Sequence, residues 1–137
     1  MDSPEVSLAR SLYPRWQRGD YTATDWAHPE IDFAIADGPT PGRWRGIEGM
    51  ARAFTEFIAN FEDWRVEPLD FDELGYDRVL VTVRVRGRGR SSGLEVERMG
   101  VVGANLFEIR DGRVTRLVLY IDAERARADI AAGEAAT

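Results

Sequence analysis

The sequence predicts an α+β fold: N-terminal helices packed on a strongly curved, mainly antiparallel sheet that wraps around them as a cone. Three features predict it. Residues 100–122 read as two long strands joined by a tight turn at Asp111-Gly112, largely apolar on both faces, with one amide, Asn105, inside the first. A strand buried on both faces belongs to a sheet covered on both sides, by helices, a ligand pocket or a second subunit. Ile47, Met50, Ala51, Phe54, Phe57, Ile58 and Phe61 repeat with the period of an amphipathic helix. Helical patterns come first and strands follow, the order of an α+β protein. The open end of such a cone would be lined by Trp, Phe and Tyr.

Along the chain, Ser3-Pro4-Glu5 starts a helix, because serine caps free amides and proline loses nothing in the first turn. Leu8, Leu12 and Trp16 share its buried face, Pro14 should kink it, and Arg18-Gly19-Asp20 ends it. Tyr21 to Trp26 is expected as a short second helix. Ile31 to Asp37 alternates as a strand, with Ile31, Phe33, Ile35 and Asp37 on one face. Gly38-Pro-Thr-Pro-Gly42 is a loop, and the clearest helix follows Gly46. Strands are expected over Trp64 to Leu74, through the alternation of Val79, Val81, Val83 and Val85, at about 95–109 and at 113–121. Gly87 to Gly93 reads as an arginine-bearing turn. Asp122 caps a last short helix, Ala123 to Ile130, and the final residues, 131–137, should fray.

Length sets one domain, 1–137, with an ordered core over about 5–130. A chain of this size buries about 68% of its unfolded surface. There is no cysteine, so disulfides and thiolate nucleophiles are excluded. All 18 basic residues are arginine, which removes lysine Schiff bases, and a single histidine removes a multi-histidine metal site. The remaining Asp, Glu, Tyr, Arg, Asn, Ser, Thr and His suit proton transfer or water activation without cofactor or metal. A net charge of −6 argues against nucleic acid as a partner. No apolar run is long enough for a membrane span, and the acidic start lacks a signal-peptide core, so a cytoplasmic address is the expectation.

Taken together, the Arg-Gly-Asp turn, His28-Pro29 before the first strand, Gly46-Ile-Glu-Gly-Met50 and the ending Leu106-Phe-Glu-Ile-Arg-Asp-Gly-Arg-Val114 with Tyr120-Ile-Asp122 resemble the SnoaL-like branch of the nuclear transport factor 2-like superfamily. The resemblance covers about residues 5–130. It implies a cone-shaped α+β barrel, usually a homodimer through the sheet, among ketosteroid isomerases, polyketide cyclases, epoxide hydrolases, dehydratases and members without known activity. Fold therefore does not settle function. By this resemblance, the acid that helps isomerases hold an enolate matches Asn105. Their base matches Ile35, with Asp37 one strand step further, and their helix-one tyrosine matches Leu12, next to Tyr13. The Asp–Arg–Asp set of epoxide hydrolases is mostly lost, since Leu119, Val83 and Val85 stand where charge is expected.

Each candidate carries two readings. Asn105 either polarises a carbonyl oxygen in a dry pocket or is a buried amide satisfied locally. Asp37 is a general base or a turn aspartate before Gly38. His28 is an acid/base group at the cavity edge or orders a loop. Tyr120 reaches the pocket as a second donor or lies at the dimer seam, and Asp122 caps the last helix. Tyr13, Trp16, Trp26, Phe33, Trp44, Phe54, Phe57 and Phe107 line an apolar ligand site or are ordinary core. Arg84, Arg86, Arg88 and Arg90 grip an anion or form a solvated strand edge offset by Glu95 and Glu97. The leading function is binding of a small, mainly apolar organic molecule in the cone, with isomerase, lyase or cyclase chemistry on it. The alternative is a non-catalytic ligand carrier or accessory module. An open cavity faced by Asn105 and a carboxylate would favour the enzyme; a cone filled by aromatic side chains would favour the module.

Overall fold

Helix α1 spans Pro4–Gln17 and starts where Ser3 Oγ accepts a hydrogen bond from the Val6 amide at 3.1 Å. The structure, a computed structural model, describes residues 2–38, 40–75, 77–89 and 101–133. Pro14 lies inside α1 without ending it, and Val6, Ala9, Leu12, Tyr13 and Trp16 are its buried stripe. Gly19 closes the helix at φ 82°, a conformation that costs glycine little.

The second helix expected at 21–26 does not form. The Asp20 carboxylate accepts from the Thr22 amide and hydroxyl at 3.1 and 2.9 Å, which diverts the chain into a turn. Strand β1 is longer than expected, Ala27–Ile35, and takes in Pro29. Proline cannot donate to the ladder, and the pairing of β1 shifts register between Ala27 and Asp32. A short strand, β2 at Gly42–Arg45, was hidden behind the loop signal and pairs antiparallel with β1. Four residues are too few for alternation to register.

Helix α2, Gly46–Ile58, buries Met50, Ala53, Phe54 and Phe57. The rest is strand: β3 Phe61–Glu73, β4 Arg78–Gly89, β5 Val102–Arg110 and β6 Arg113–Tyr120. Residues 87–89, expected in a turn, continue β4; Arg90, Gly93, Glu95 and Glu97 lie outside the described residues. A β-bulge at Glu62–Arg65 holds Asp63 at φ 51°. Helix α3, Ala123–Ala131, starts at Asp122, whose side chain accepts from the Glu124 amide at 2.9 Å.

The strands form one sheet in the order β2-β1-β6-β5-β4-β3, antiparallel except for the β1–β6 pair. It is curved, and three helices pack on it as an α+β cone. On the concave face α1 and α2 cover Phe33, Val79, Val81, Val83, Phe107 and Leu117, all at most 1% exposed. Burial of each such phenylalanine contributes roughly 2–3 kcal/mol. On the convex face Leu80, Ala104, Leu106, Val118 and Tyr120 pack with Ala123 and Ala126 of α3. The double-sided apolar character of β5 and β6 thus has two covers, one on each side.

Candidate functional site

Asn105 sits in the middle of β5, paired in register with Val81 of β4 and Leu119 of β6, and points to the concave side. It is 5% exposed. Its Nδ2 lies 2.7 Å from the hydroxyl oxygen of Tyr13, which α1 lowers onto the sheet. Tyr13 is 1% exposed, and burial pushes its phenol well above the usual tyrosine range, against a smaller opposing effect of the Asn105 bond. The phenol therefore stays protonated at any ordinary pH. Amide and phenol can exchange roles, the phenol proton going to Oδ1 and the NH2 group turning outward.

Outward from this pair lies a hollow bounded by Trp16, Tyr21, Ile35, Phe54, Phe57, Trp64, Val66, Val83, Val85, Leu119, Tyr120 and Ile121. It encloses about 420 Å³ of atom-free space, mouth included, of which about 20 Å³ can be reached by the centre of a water molecule. That is room for about one water. The wall is an aromatic stack: Trp16 lies parallel to Phe107 at 6.4 Å, Phe54 to Phe33 at 5.8 Å, and Trp64 meets Phe57 edge-on at 5.1 Å. Asn105 supplies the amide in this wall, and among the described residues no carboxylate or imidazole borders it.

Of the eight aromatic residues expected to line a ligand site, Trp16, Phe54 and Phe57 do so. Tyr13, Trp26, Phe33, Trp44 and Phe107 form the layer behind, where they fix the first set: Trp26 meets Trp16 edge-on at 6.1 Å, and Trp44 leans on Phe33 at 6.1 Å. Tyr21, Trp64 and Ile121 were not among the expected lining residues. The alternation of Trp64 and Val66 in β3 carried a signal for one of them; Tyr21 and Ile121 lie in connections, where periodicity is silent.

Asp37 and His28 do not border the hollow, and Tyr120 borders it while directing its hydroxyl away, to Asp129. Asp37 Oδ1 accepts from the Ile121 amide at 2.6 Å and Oδ2 from the Asp122 amide at 3.2 Å. Its carboxylate joins the end of β1 to the start of α3 instead of facing the hollow. His28 accepts from the Glu30 amide through Nδ1 at 3.0 Å and borders a shallow depression with Arg110, Asp111, Arg113 and Thr115. It lies within β1, at the end of the strand away from Ile35, which borders the hollow. The Tyr120 ring lies under α3 on the convex face, where its hydroxyl donates to Asp129 Oδ2 at 2.9 Å. Burial and then the Asp129 carboxylate push that phenol up to about 12. On the strand edge, Arg86 pairs with Glu67 at 3.6 Å across the β3–β4 ladder. The described residues contain no cluster of three metal-ligating side chains.

Residues 9–117 match the SnoaL-like domain family. The chain belongs to this family. No curated protein matches it in sequence. Among solved structures, it is similar to SMa1630 of Sinorhizobium meliloti, named for polyketide cyclases, at 22% identity over 82% of this chain and 93% of that one, TM-score 0.63. TerC, co-crystallised with polyporic acid, is 20% identical over 92% of this chain and 97% of its own, TM-score 0.72. A protein with a ketosteroid isomerase-like fold from Catenulispora acidiphila, in complex with trimethylamine, is 15% identical over 88% of each chain, TM-score 0.67. At such identities the likeness is one of fold. No helix among the described residues is long and apolar enough to cross a membrane.

Proposed function

We propose that this SnoaL-like domain binds a small, uncharged, mainly apolar organic molecule in its hollow, with one hydrogen-bond acceptor of the ligand directed at Asn105. The observation that carries this reading is the buried Asn105–Tyr13 pair at 2.7 Å at the inner end of an otherwise apolar wall. Asn105 Nδ2 donates to the Tyr13 oxygen at 2.7 Å; with the amide turned over, Oδ1 instead accepts the buried phenol's proton. With Oδ1 so used, the NH2 group presents donors to the hollow and fits a carbonyl oxygen. A charged ligand would leave its charge unpaired among hydrocarbon walls. Proteins of similar fold have been crystallised with polyporic acid and with trimethylamine, which supports small-molecule binding by this fold.

Titration with acetophenone, a neutral aryl ketone, tests this by NMR. Acetophenone is expected to shift the Trp16, Val83 and Leu119 signals, benzoate is not, and Asn105→Leu is expected to weaken binding about ten-fold, near 1.4 kcal/mol. Equal affinity of Asn105→Leu and the parent chain would refute the assignment.

Turnover by proton removal next to the carbonyl is the second reading, favoured by the same donor pair. It needs a base, and the expected ones, Asp37 and His28, are engaged by main-chain amides and do not border the hollow. Binding without chemistry is therefore preferred. The measurement is deuterium exchange of the acetophenone methyl protons in heavy water, for which no acceleration by the protein is expected.

A further inference from the structure

We propose that Tyr21 and Ile121 form a gate over the hollow and that Asp37 is the residue that positions the Ile121 half; the gate serves the ligand site proposed above and rests on that reading. Of the residues around the hollow, Tyr21 and Ile121 are only partly buried, while the other lining residues are buried. Solvent therefore meets the hollow at these two. The closed space holds about one water, so an aryl ketone enters only if part of the wall moves.

The two residues are also the lining positions that lie outside helices and strands. Phe54, Phe57 and Trp16 belong to helices, and Trp16 meets Phe54 ring to ring at 5.9 Å. Tyr21 belongs to the non-helical connection between α1 and β1; its hydroxyl donates to the Trp64 carbonyl oxygen at 2.9 Å and is also bonded by Arg65, and its ring lies on Trp16 at 6.5 Å and Phe54 at 5.4 Å. Ile121 sits in the two-residue joint between β6 and α3, where its amide donates to Asp37. Its side chain occupies space that only glycine leaves free. A Cβ on Gly38 would lie 2.5 Å from Ile121 Cδ1, and Gly38 has φ 90°. Asp37 and Gly38 together therefore make the seat in which Ile121 closes the hollow, one by holding its main chain and one by yielding to its side chain. Rotation of the Tyr21 ring and release of the Asp37 contacts are loop-scale motions, which typically open and close within microseconds to milliseconds.

The test uses the full chain and two probes. Xenon, which needs no polar partner, is followed through the methyl signals of Val83, Val85 and Leu119; acetophenone is followed as above. In Ile121→Ala and Tyr21→Ala, xenon exchange is expected to rise about ten-fold or more. In Asp37→Asn, acetophenone association and dissociation rates are expected to rise together, leaving the affinity within about three-fold, because a latch changes barriers and not the bound state. Unchanged xenon exchange, or no xenon response at these methyls, in natively folded Ile121→Ala and Tyr21→Ala overturns the gate. If Asp37→Asn fails to fold, the other two variants decide. Failure of acetophenone alone to bind, with xenon exchange accelerated, refutes the ligand reading and leaves the gate standing.

Discussion

Asn105 and Tyr13 lie 92 residues apart and meet at 2.7 Å with almost no water access. Removing one of a buried hydrogen-bonded pair costs the desolvation of the other, about 1–3 kcal/mol. Tyr13→Phe is therefore expected to destabilise the chain by that amount in urea melts, and Asn105→Leu with Tyr13→Phe by less than the sum of the single changes. The tyrosines also set the alkaline limit. The chain has no lysine, so between pH 9 and pH 12 the titrating side chains are its phenols. Burial pushes Tyr21 up to about 12, opposed by Arg65, and burial with Asp129 does the same for Tyr120. A phenol that ionises near pH 10 when unfolded and later when folded favours the folded state below pH 10. That contribution is lost as pH climbs from about 10 to 12. The melting temperature is expected to fall over that interval, less steeply in Tyr120→Phe.

At the scale of elements, α3 is the least expected contributor. Its nine residues have little helical drive of their own. It is held by three tertiary features: Asp37 on the Ile121 and Asp122 amides, Tyr120 on Asp129, and Ala123 and Ala126 on the convex sheet. Ala126 is wholly buried, so Ala126→Arg cannot be accommodated without lifting the helix. That variant is expected to expose Leu80, Leu106 and Val118, seen as binding of a hydrophobic dye and faster amide exchange in 123–131. Helix α2 behaves differently, since its stripe points into the main core. Phe57→Ala is expected to cost about 3–5 kcal/mol, because Phe61 and Trp64 would close over a cavity only in part.

For the whole molecule, α3 changes what the sheet can offer a second copy. The family resemblance implies a homodimer through the sheet, and α3 packs on Leu80, Ala104, Leu106, Val118 and Tyr120 of the convex face. We propose that any such dimer forms around α3, over the groove where Ala34, Ala36 and Gly42 leave room between Arg43, Arg116 and Arg125. Arg43 pairs with Asp32 at 3.5 Å and Arg116 with Glu108 at 3.1 Å, so this contact would be polar and salt-sensitive. Sedimentation at low and high salt measures it: association is expected to weaken with salt, and salt-independent dimers would contradict the placement.

What was legible in the chain was whatever repeats. The periodic stripe of α2, the alternation of β4 and the double-sided apolar run of β5 and β6 each announce a burial requirement, and burial requirements fix architecture. Asn105 stood out for the same reason, as a polar break in an apolar repeat. Roles were another matter. Asp37, His28 and Tyr120 carry suitable chemistry, yet a side chain's task depends on which amide, carboxylate or solvent it meets. Those partners came from Ile121 and Asp122, Glu30, and Asp129. Contacts between such distant or aperiodic positions leave no periodic trace in the chain. The Asp37 contacts arise only when the end of β1 meets the start of α3, whereas His28 and Glu30 meet two residues apart within β1.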